Sequence, residues 1–468
     1  FQYTYDDRGN LTKKQLPGAD YVQYVYDSYD RPAYIQDGRQ RDAGTNRWHF
    51  YTYDNLGRIA TEGECTGQSN TTSSTVLVKN YYDSYSFAGT SLFPASYFPS
   101  SGSWCIGRQT GQELFTLGTS TYGYVPRAWY YDSRGQVTKT VSGHHAGLGY
   151  DTETTSYTYT GHPLTVTMIR AAAASTSGVP SAQTRIYSYD HRDRPVSESM
   201  TLNGANPTTL AAYTYDNLGR MATRKFAGSA ANVISYTYDV RNRMTLASHP
   251  GFIQDLAYTY GSDISASGWK RSSGGTRSAY AFTYDGLHRL KDAAYKEGTT
   301  VNNHYTEKVT GYDRNGNITA LQRYGRTSAS AWGIIDNLTL SRTGNLLTSV
   351  SDNGSAAYSG AFATSAGTSA YDANGSLVSD TGRGISSVTW NEIGLPKTVS
   401  FSNGSSVSYL YAADGTKLRE IRTVSGTSTT LDWCGDVVLE QVGSGTKIAK
   451  RLRTEEGYVD LAAGTGAT

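Results

Sequence analysis

The sequence predicts an all-β fold, with tandem β-hairpins paired edge to edge and coiled into a spiral, hollow, barrel-like shell. Three observations carry the prediction. The pattern Tyr-x-Tyr-Asp-x-x-Gly-Arg recurs along most of the 468 residues, and short-period self-similarity marks an array of one supersecondary unit. The composition is rich in Tyr and poor in aliphatic residues. No stretch has helical periodicity long enough for a helical layer; the one helix-friendly run, Arg170 to Ala174, sits in a loop containing Ser, Gly and Pro.

The unit explains itself residue by residue. Two copies are nearly intact: Tyr51, Tyr53, Asp54, Gly57 and Arg58, and Tyr213, Tyr215, Asp216, Gly219 and Arg220. A third keeps Tyr236, Tyr238 and Asp239. Period-2 alternation puts Tyr51 and Tyr53 on one strand face. Asp54-Asn55-Leu56-Gly57 reads as a turn, because Asp and Asn bond to their own backbone and Gly supplies positive φ. Arg58 to Thr61 begins the return strand, which makes a short-loop hairpin.

Clear copies end at Asp6, Asp27, Asp54, Asp132, Asp190, Asp216, Asp239 and Asp285, and weaker ones at Asp83, Thr160, Gly261, Asp313, Ser341, Asp372, Asn391 and Ala412. Of the fifteen intervals among these sixteen units, only Asp83 to Asp132 falls outside 19 to 31 residues, so it hides an insertion or a degraded unit. One hairpin cannot stand alone in water. Sixteen can pair into a long sheet, which twist forces to coil and coiling protects from exposed edges.

Composition favours a thin wall. There are 39 Tyr against 11 Phe, 7 Trp and 4 Met, and the hydrophobic fraction is 37%, a poor supply for a dense aliphatic core. Tyr carries a ring and a hydroxyl that needs a partner or water, which suits a sheet wet on both faces. The net charge is +2, with no Lys/Arg run longer than two, so nothing marks a nucleic-acid surface. Three cysteines, Cys65, Cys105 and Cys434, do not make a disulfide framework, although one bridge is open to them. No apolar run reaches the 18 residues that read as a membrane span. The chain starts at Phe1 in mid-repeat and reads as a piece of something longer, with any targeting signal elsewhere.

Along the chain, residues 1–83 hold regular units, 84–128 are irregular, 129–325 are regular again, and from 326 to 430 the motif decays. Residues 431–468 form a distinct C-terminal stretch.

The repeated unit resembles the YD repeat of RHS-type proteins, which include bacterial polymorphic toxins, cocoon subunits of insecticidal toxin complexes, and teneurins. Tyr130 to Val137, His145 before Gly147, and Tyr157 to Gly161 resemble one bacterial branch. Leu431 to Val438, continuing through Glu456 to Leu461, resembles that branch's lead-in to an RHS-associated core. The resemblance implies a spiral of hairpins forming a hollow shell. In toxin members the shell encloses a C-terminal toxin, and a core domain plugs it and often cleaves the toxin free as an aspartyl protease. No Asp-His-Leu-Gly core motif and no matching aspartyl pair occur here, so the cleaving residues do not carry over.

Asp313-x-Asn315-x-Asn317 and Asp372-x-Asn374-x-Ser376 begin like calcium loops. Each lacks the Gly at the sixth position and the Glu at the twelfth, and each coincides with a repeat turn. His144-His145 on a strand would point to opposite faces and could not chelate one metal. Cys105 and Cys434 have no His within thirty residues, so neither reads as a catalytic thiol. Gly443-x-Gly445-Thr446-Lys447 lacks Walker spacing. Asn70-Thr71-Thr72 and Asn337-Leu338-Thr339 are chance-level glycosylation sequons. No catalytic, cofactor or metal residue is expected.

The leading functional expectation is a non-enzymatic shell segment, secreted or at the cell surface. Its partner would be its own C-terminal core and toxin region, with no nucleic acid and no membrane insertion. The alternative is an adhesin or glycan-binding scaffold whose Tyr and Trp stack on sugars.

Overall fold

The computed structural model describes all residues except 43, 45, 70–72, 119–121, 171–175, 177, 228, 230, 356–359, 363–366 and 462–468. Among the described residues, thirty-seven strands join in one sheet, and each pairs antiparallel with its neighbour in sequence almost throughout. Among the described residues, helical structure is confined to Gly38–Asp42 and short 3-10 turns. Strands such as Val22–Tyr26 are half-buried along both faces, as expected of a wall one sheet thick.

The ribbon coils back on itself. The thirty-second strand, Ser406–Ala412, pairs with the eighth, Gln109–Gly118, through Leu410 to Gly118, Tyr411 to Leu117 and Ala412 to Thr116. The two-residue strand Thr300–Val301 hangs on Leu290–Glu297 alone, so one coil takes about twenty-three strands. At about 4.8 Å per strand the coil is roughly 110 Å round and about 35 Å across; a sheet about 10 Å thick leaves an interior about 25 Å wide. The array is therefore a hollow spiral of tandem hairpins, as the repeats predict.

Each hairpin has its repeat turn on one rim of the ribbon and its linking loop on the other. The second coil sets its turn rim on the loop rim of the first. Asn345 N donates to Pro17 O, and Asp20 N to Ala373 O. Asn374 bonds Asp37 and Arg39, and Arg127 pairs with Asp414 at 3.4 Å. The backbones touch: a Cβ on Gly344 would lie 2.5 Å from Gly18 N, and both residues have positive φ, 61° and 89°. The turn at Gly344-Asn345 is thus held tight against its neighbour, whereas the docked turn at Asp372–Ser376 keeps the ordinary repeat geometry.

The long interval is one insertion inside one turn. Asp83 N donates to Arg108 O, and Gly107 N donates to the Asp83 carboxylate at 2.6 Å, so Gly107-Arg108 completes the unit that Asp83 opens. Residues 84–106 fold over the sheet as an aromatic cap. Tyr85 stacks on Tyr130 at 4.6 Å, Phe87 meets Phe93 at 4.5 Å, and Phe98 is fully buried. The irregular region is therefore shorter than 84–128. Gln109–Gly118 and most of Tyr124–Tyr131 are regular ribbon.

Three units sit two residues from their expected place. The turns start at Thr158 and Thr259, not Thr160 and Gly261: Thr158 N bonds His162 O and Thr259 N bonds Asp263 O. Thr hydroxyls take the capping role of Asp at 3.0 and 3.1 Å. Tyr159 and Tyr260, expected to hold strand positions, project from the turns, 86% and 91% exposed. The strand Trp332–Thr343 runs past Ser341 to a tight turn at Gly344-Asn345. Residues 431–460 continue the ribbon, with two further hairpins closing at Gly435-Asp436 and Glu455-Glu456.

Of the remaining expectations, Ala171–Ala174 and the sequon Asn70-Thr71-Thr72 lie outside the described residues. The three cysteines are buried and free. Among the described residues no helix is long and apolar enough to cross a membrane.

Candidate functional site

Two constructions hold the wall: a latch in the units that keep the motif's Asp and Arg, and a lock between the coils. In the latch, one carboxylate organises the turn. Asp54 Oδ1 accepts from Leu56 N and Arg58 N at 2.9 Å each, and Oδ2 accepts from Arg58 Nε at 2.7 Å. Gly57 N donates to Asp54 O at 2.9 Å with φ at 80°. Asp216 repeats this with Leu218, Arg220 and Gly219, and Asp239 with Arg241 and Arg243. Hydrogen bonds from the turn hold such carboxyls low; the Arg194 side chain draws Asp190 down to about 2.

The Arg then reaches the next unit. Arg31 lies 4.2 Å over the Tyr53 ring, Arg58 4.2 Å over Tyr82, Arg194 4.2 Å over Tyr215, and Arg220 4.8 Å over Tyr238. The same ring's hydroxyl reaches back to the residue after that Arg: Tyr53 to Pro32 O, Tyr215 to Pro195 O, and Tyr238 to Met221 O, at 2.7 to 2.8 Å. In the second coil Trp390 Nε1 replaces Tyr, donating to Leu377 O at 3.0 Å. The motif's Arg is thus the coupling between units, a role that its fixed spacing marked but did not reveal.

The left-handed turn position shows the coupling from the other side. Where Gly is absent, Asp30, Asn242, Ser262 and His288 hold φ between 58° and 77°, a strain of about 1 kcal/mol or more per residue. Their side chains bond the preceding unit: Asp30 accepts from Arg8, Asn242 from Arg220, Ser262 from Arg243, and His288 meets Asp263.

The first Tyr of each pattern lies half-buried on the same face. Burial pushes Tyr51 up to about 12, with Glu62 adding to it. Tyr213 donates to Glu456, which also pairs with Arg224, so the last hairpin rests on this tyrosine face. Tyr236 lines an open apolar hollow with Phe226, Ile234, Met244 and Phe252. The opposite face carries cross-strand hydroxyl pairs such as Thr214 with Thr223 at 2.6 Å.

The lock joins two segments far apart in the sequence, around His145 and around Asp432. His144 and His145 stand in a turn, not on a strand, with His145–Gly147 in 3-10 conformation. Asp432 is fully buried, and His145 Nε2 lies 2.8 Å from its Oδ1. Arg419 Nε meets the same oxygen at 2.5 Å, and Lys447 Nζ meets Oδ2 at 2.6 Å. Burial would raise the Asp432 carboxyl, but these three donors hold it well below the carboxylate range. Burial pushes His145 below its ordinary value, against the pull of Asp432, and its Nδ1 has no hydrogen-bond partner. Arg170 extends the lock, bonding Asp436 at 2.5 Å and Gln183 at 2.6 Å. Burial raises the Cys434 thiol to about 12, the opposite of what a nucleophile needs.

No group of three metal-ligating side chains occurs among the described residues. Asp313 and Asp372 cap their own turns through the amides of Asn315, Asn317, Asn374 and Ser376. Latch and lock define a structural wall: their charges face each other and bind the molecule to itself.

No family model matches the sequence, and comparison with curated proteins finds no match either. Solved structures do match in fold. The crystal structure of TcdB2-TccC3 without the hypervariable C-terminal region aligns with 97% of this chain at TM-score 0.67 and 16% identity. The crystal structure of TcdB2-TccC3 does so over 97% at TM-score 0.68 and 15% identity. A Photorhabdus luminescens Tc holotoxin pore aligns with 96% at TM-score 0.67 and 14% identity. At such identities the likeness is one of fold. The chain spans about a fifth of those chains, 21 to 22% of their length.

Proposed function

We propose that this chain is a length of wall in an RHS-type shell that encloses a C-terminal polypeptide of its own protein, a toxin, until delivery. The mechanism is steric and needs no catalytic group. A wall of latched hairpins, locked coil to coil, keeps the enclosed polypeptide from proteases and from its target. The observation that carries this reading is the closed coil, in which Ser406–Ala412 returns to Gln109–Gly118 around an interior. The shared fold with Tc toxin structures supports it. Such a shell would act outside the cell that makes it.

Small-angle scattering on the chain tests the reading. A hollow coil gives a pair-distance distribution displaced towards long distances, with a minimum in the form factor. A profile fitted by a solid ellipsoid of the same mass would sink the container reading.

A further inference from the structure

The two faces of the ribbon are not equally crowded. From Tyr150 to Tyr238 the face that carries the motif's tyrosines is the more buried. Asp151, Val166, Glu198 and Ala211 are buried on it, whereas Thr154, Ser156, Thr214 and Thr237 on the hydroxyl face are exposed. A coiled sheet crowds its inward side chains and spreads its outward ones. On a coil about 35 Å across, positions ~5 Å inside the wall are about half as far apart as those ~5 Å outside it. The tyrosine face therefore lines the interior.

One stretch of that lining differs from the rest. Opposite the first tyrosine of the pattern stand Glu62, Glu198 and Arg224 in the units of Tyr51, Tyr187 and Tyr213, but Ala247 in the unit of Tyr236. The small residue opens a hollow of about 620 Å³, walled by Phe226, Ile234, Tyr236, Met244 and Phe252. Asn232, His249 and Gln254 stand at its margin, and Phe252 is 48% exposed. An apolar hollow of this size with a few polar groups at the edge has the make-up of a binding site. It lies within the sheet face, across consecutive strands from Met221–Phe226 to Phe252–Tyr258, so its openness does not depend on a rim.

We propose that this hollow anchors an apolar segment of the polypeptide that the shell encloses, an inference that rests on the container reading above. The hollow faces the interior, where the enclosed polypeptide lies. It is also continuous with an interface already made. Glu456 of the last hairpin is held by Tyr213 and Arg224 on the same face, and Arg224 lies 4.8 Å over the ring of Phe226, at the edge of the hollow. A polypeptide thus already rests on this lining beside the hollow. The acidic tip takes the charged end of that surface. The uncharged floor at Ala247 and Met244 is left for apolar side chains, since burying a charge there without a partner is costly.

The test is a photo-crosslink in the whole protein with its enclosed polypeptide. Phe252→p-benzoylphenylalanine puts the reactive group on the wall of the hollow, and mass spectrometry locates its partner. An apolar stretch of the enclosed polypeptide is expected. A crosslink to further hairpins of the wall or to a second copy, or none at all, overturns the inference. A second measurement probes the hollow itself: a fluorescent peptide alternating leucine with serine is titrated against this chain by anisotropy. Ala247→Trp, which fills the floor, and Phe252→Ser, which removes a wall, are each expected to weaken binding on the order of tenfold. Ile169→Ser, an exposed site on the outer face, should leave it unchanged. Thermal melts confirm that the variants fold, and equal binding by all four chains overturns the inference. Scattering keeps the two readings apart. A hollow profile with no effect of the variants refutes the anchor and leaves the container, whereas a solid profile refutes the container whatever the peptide does.

Discussion

The turn at Asp54–Arg58 and the turn at Gly344-Asn345 occupy the same rim of the same ribbon, one coil apart. The first is built for itself: its Asp caps its own amides and its Arg couples to the next hairpin, with Leu56 standing free. The second is built for its neighbour. It has shrunk to two residues and lies against Pro17-Gly18, backbone to backbone. A repeat is thus under one constraint where it is free and another where it is docked. Gly344-Asn345 is a place where the array touches itself.

The largest effect should come from the lock. Asp432→Ala leaves the buried His145 and the partly buried Arg419 and Lys447 around a missing charge, which costs about 3–5 kcal/mol. Hydrogen exchange should show Ser406–Ala412 opening before the first coil; loss spread evenly over the chain would contradict a local lock. Phe98→Ala empties the aromatic cap and costs about 3–5 kcal/mol, read as a lowered denaturation midpoint, with protection lost in Gln109–Gly118 and Tyr124–Tyr131.

Glycine substitution sharpens the contrast between turns. Gly57→Ala meets only its own positive φ, about 1 kcal/mol. Gly344→Ala adds a clash with Gly18 and is expected to cost about 1–3 kcal/mol more; equal melting shifts would show that the docked turn is not tighter. Tyr53→Phe removes the hydroxyl bond to Pro32 O and costs about 1 kcal/mol, measurable by equilibrium unfolding.

Acid should separate the two constructions by pH. His145 has a folded value below its ordinary 6.5, so the unfolded state binds protons first. Stability at the lock is therefore lost as pH falls below about 6.5. Latch carboxyls such as Asp190 are lowered from 3.8 to about 2, so their contribution persists to about pH 4 and is lost only below it. Exchange at Ser406–Ala412 should rise between pH 7 and 5 while the first coil stays protected. His145→Gln should flatten that rise; an unchanged pH profile would remove His145 from the explanation.

Much of this was legible in the sequence because the hairpin is local. Thirteen of sixteen turns start where the pattern places them. Two of the three displaced ones fail for one physical reason: the capping group need not be Asp. Thr158 and Thr259 cap with a hydroxyl, and a Tyr beside each, Tyr159 and Tyr260, imitates the strand position. Only the ring whose hydroxyl can reach the preceding unit settles the register, as Tyr157 reaches Val137 O at 2.7 Å and Tyr258 reaches Met244 O at 2.7 Å. The lock was not legible as a unit. Each of its residues is ordinary in its own segment, and their meeting depends on how many strands complete a coil.

That meeting has a kinetic side. His145 and Asp432 are 287 residues apart, whereas a latch such as Arg58 to Asp83 spans 25. Loop-closure entropy makes the longer closure costlier by about 2 kcal/mol, and its far end is synthesised 287 residues after the near one. The ribbon can therefore zip hairpin by hairpin as it emerges, with the seam as its final step. Until Asp432 arrives, the structure is an open strip. Afterwards it is a closed coil.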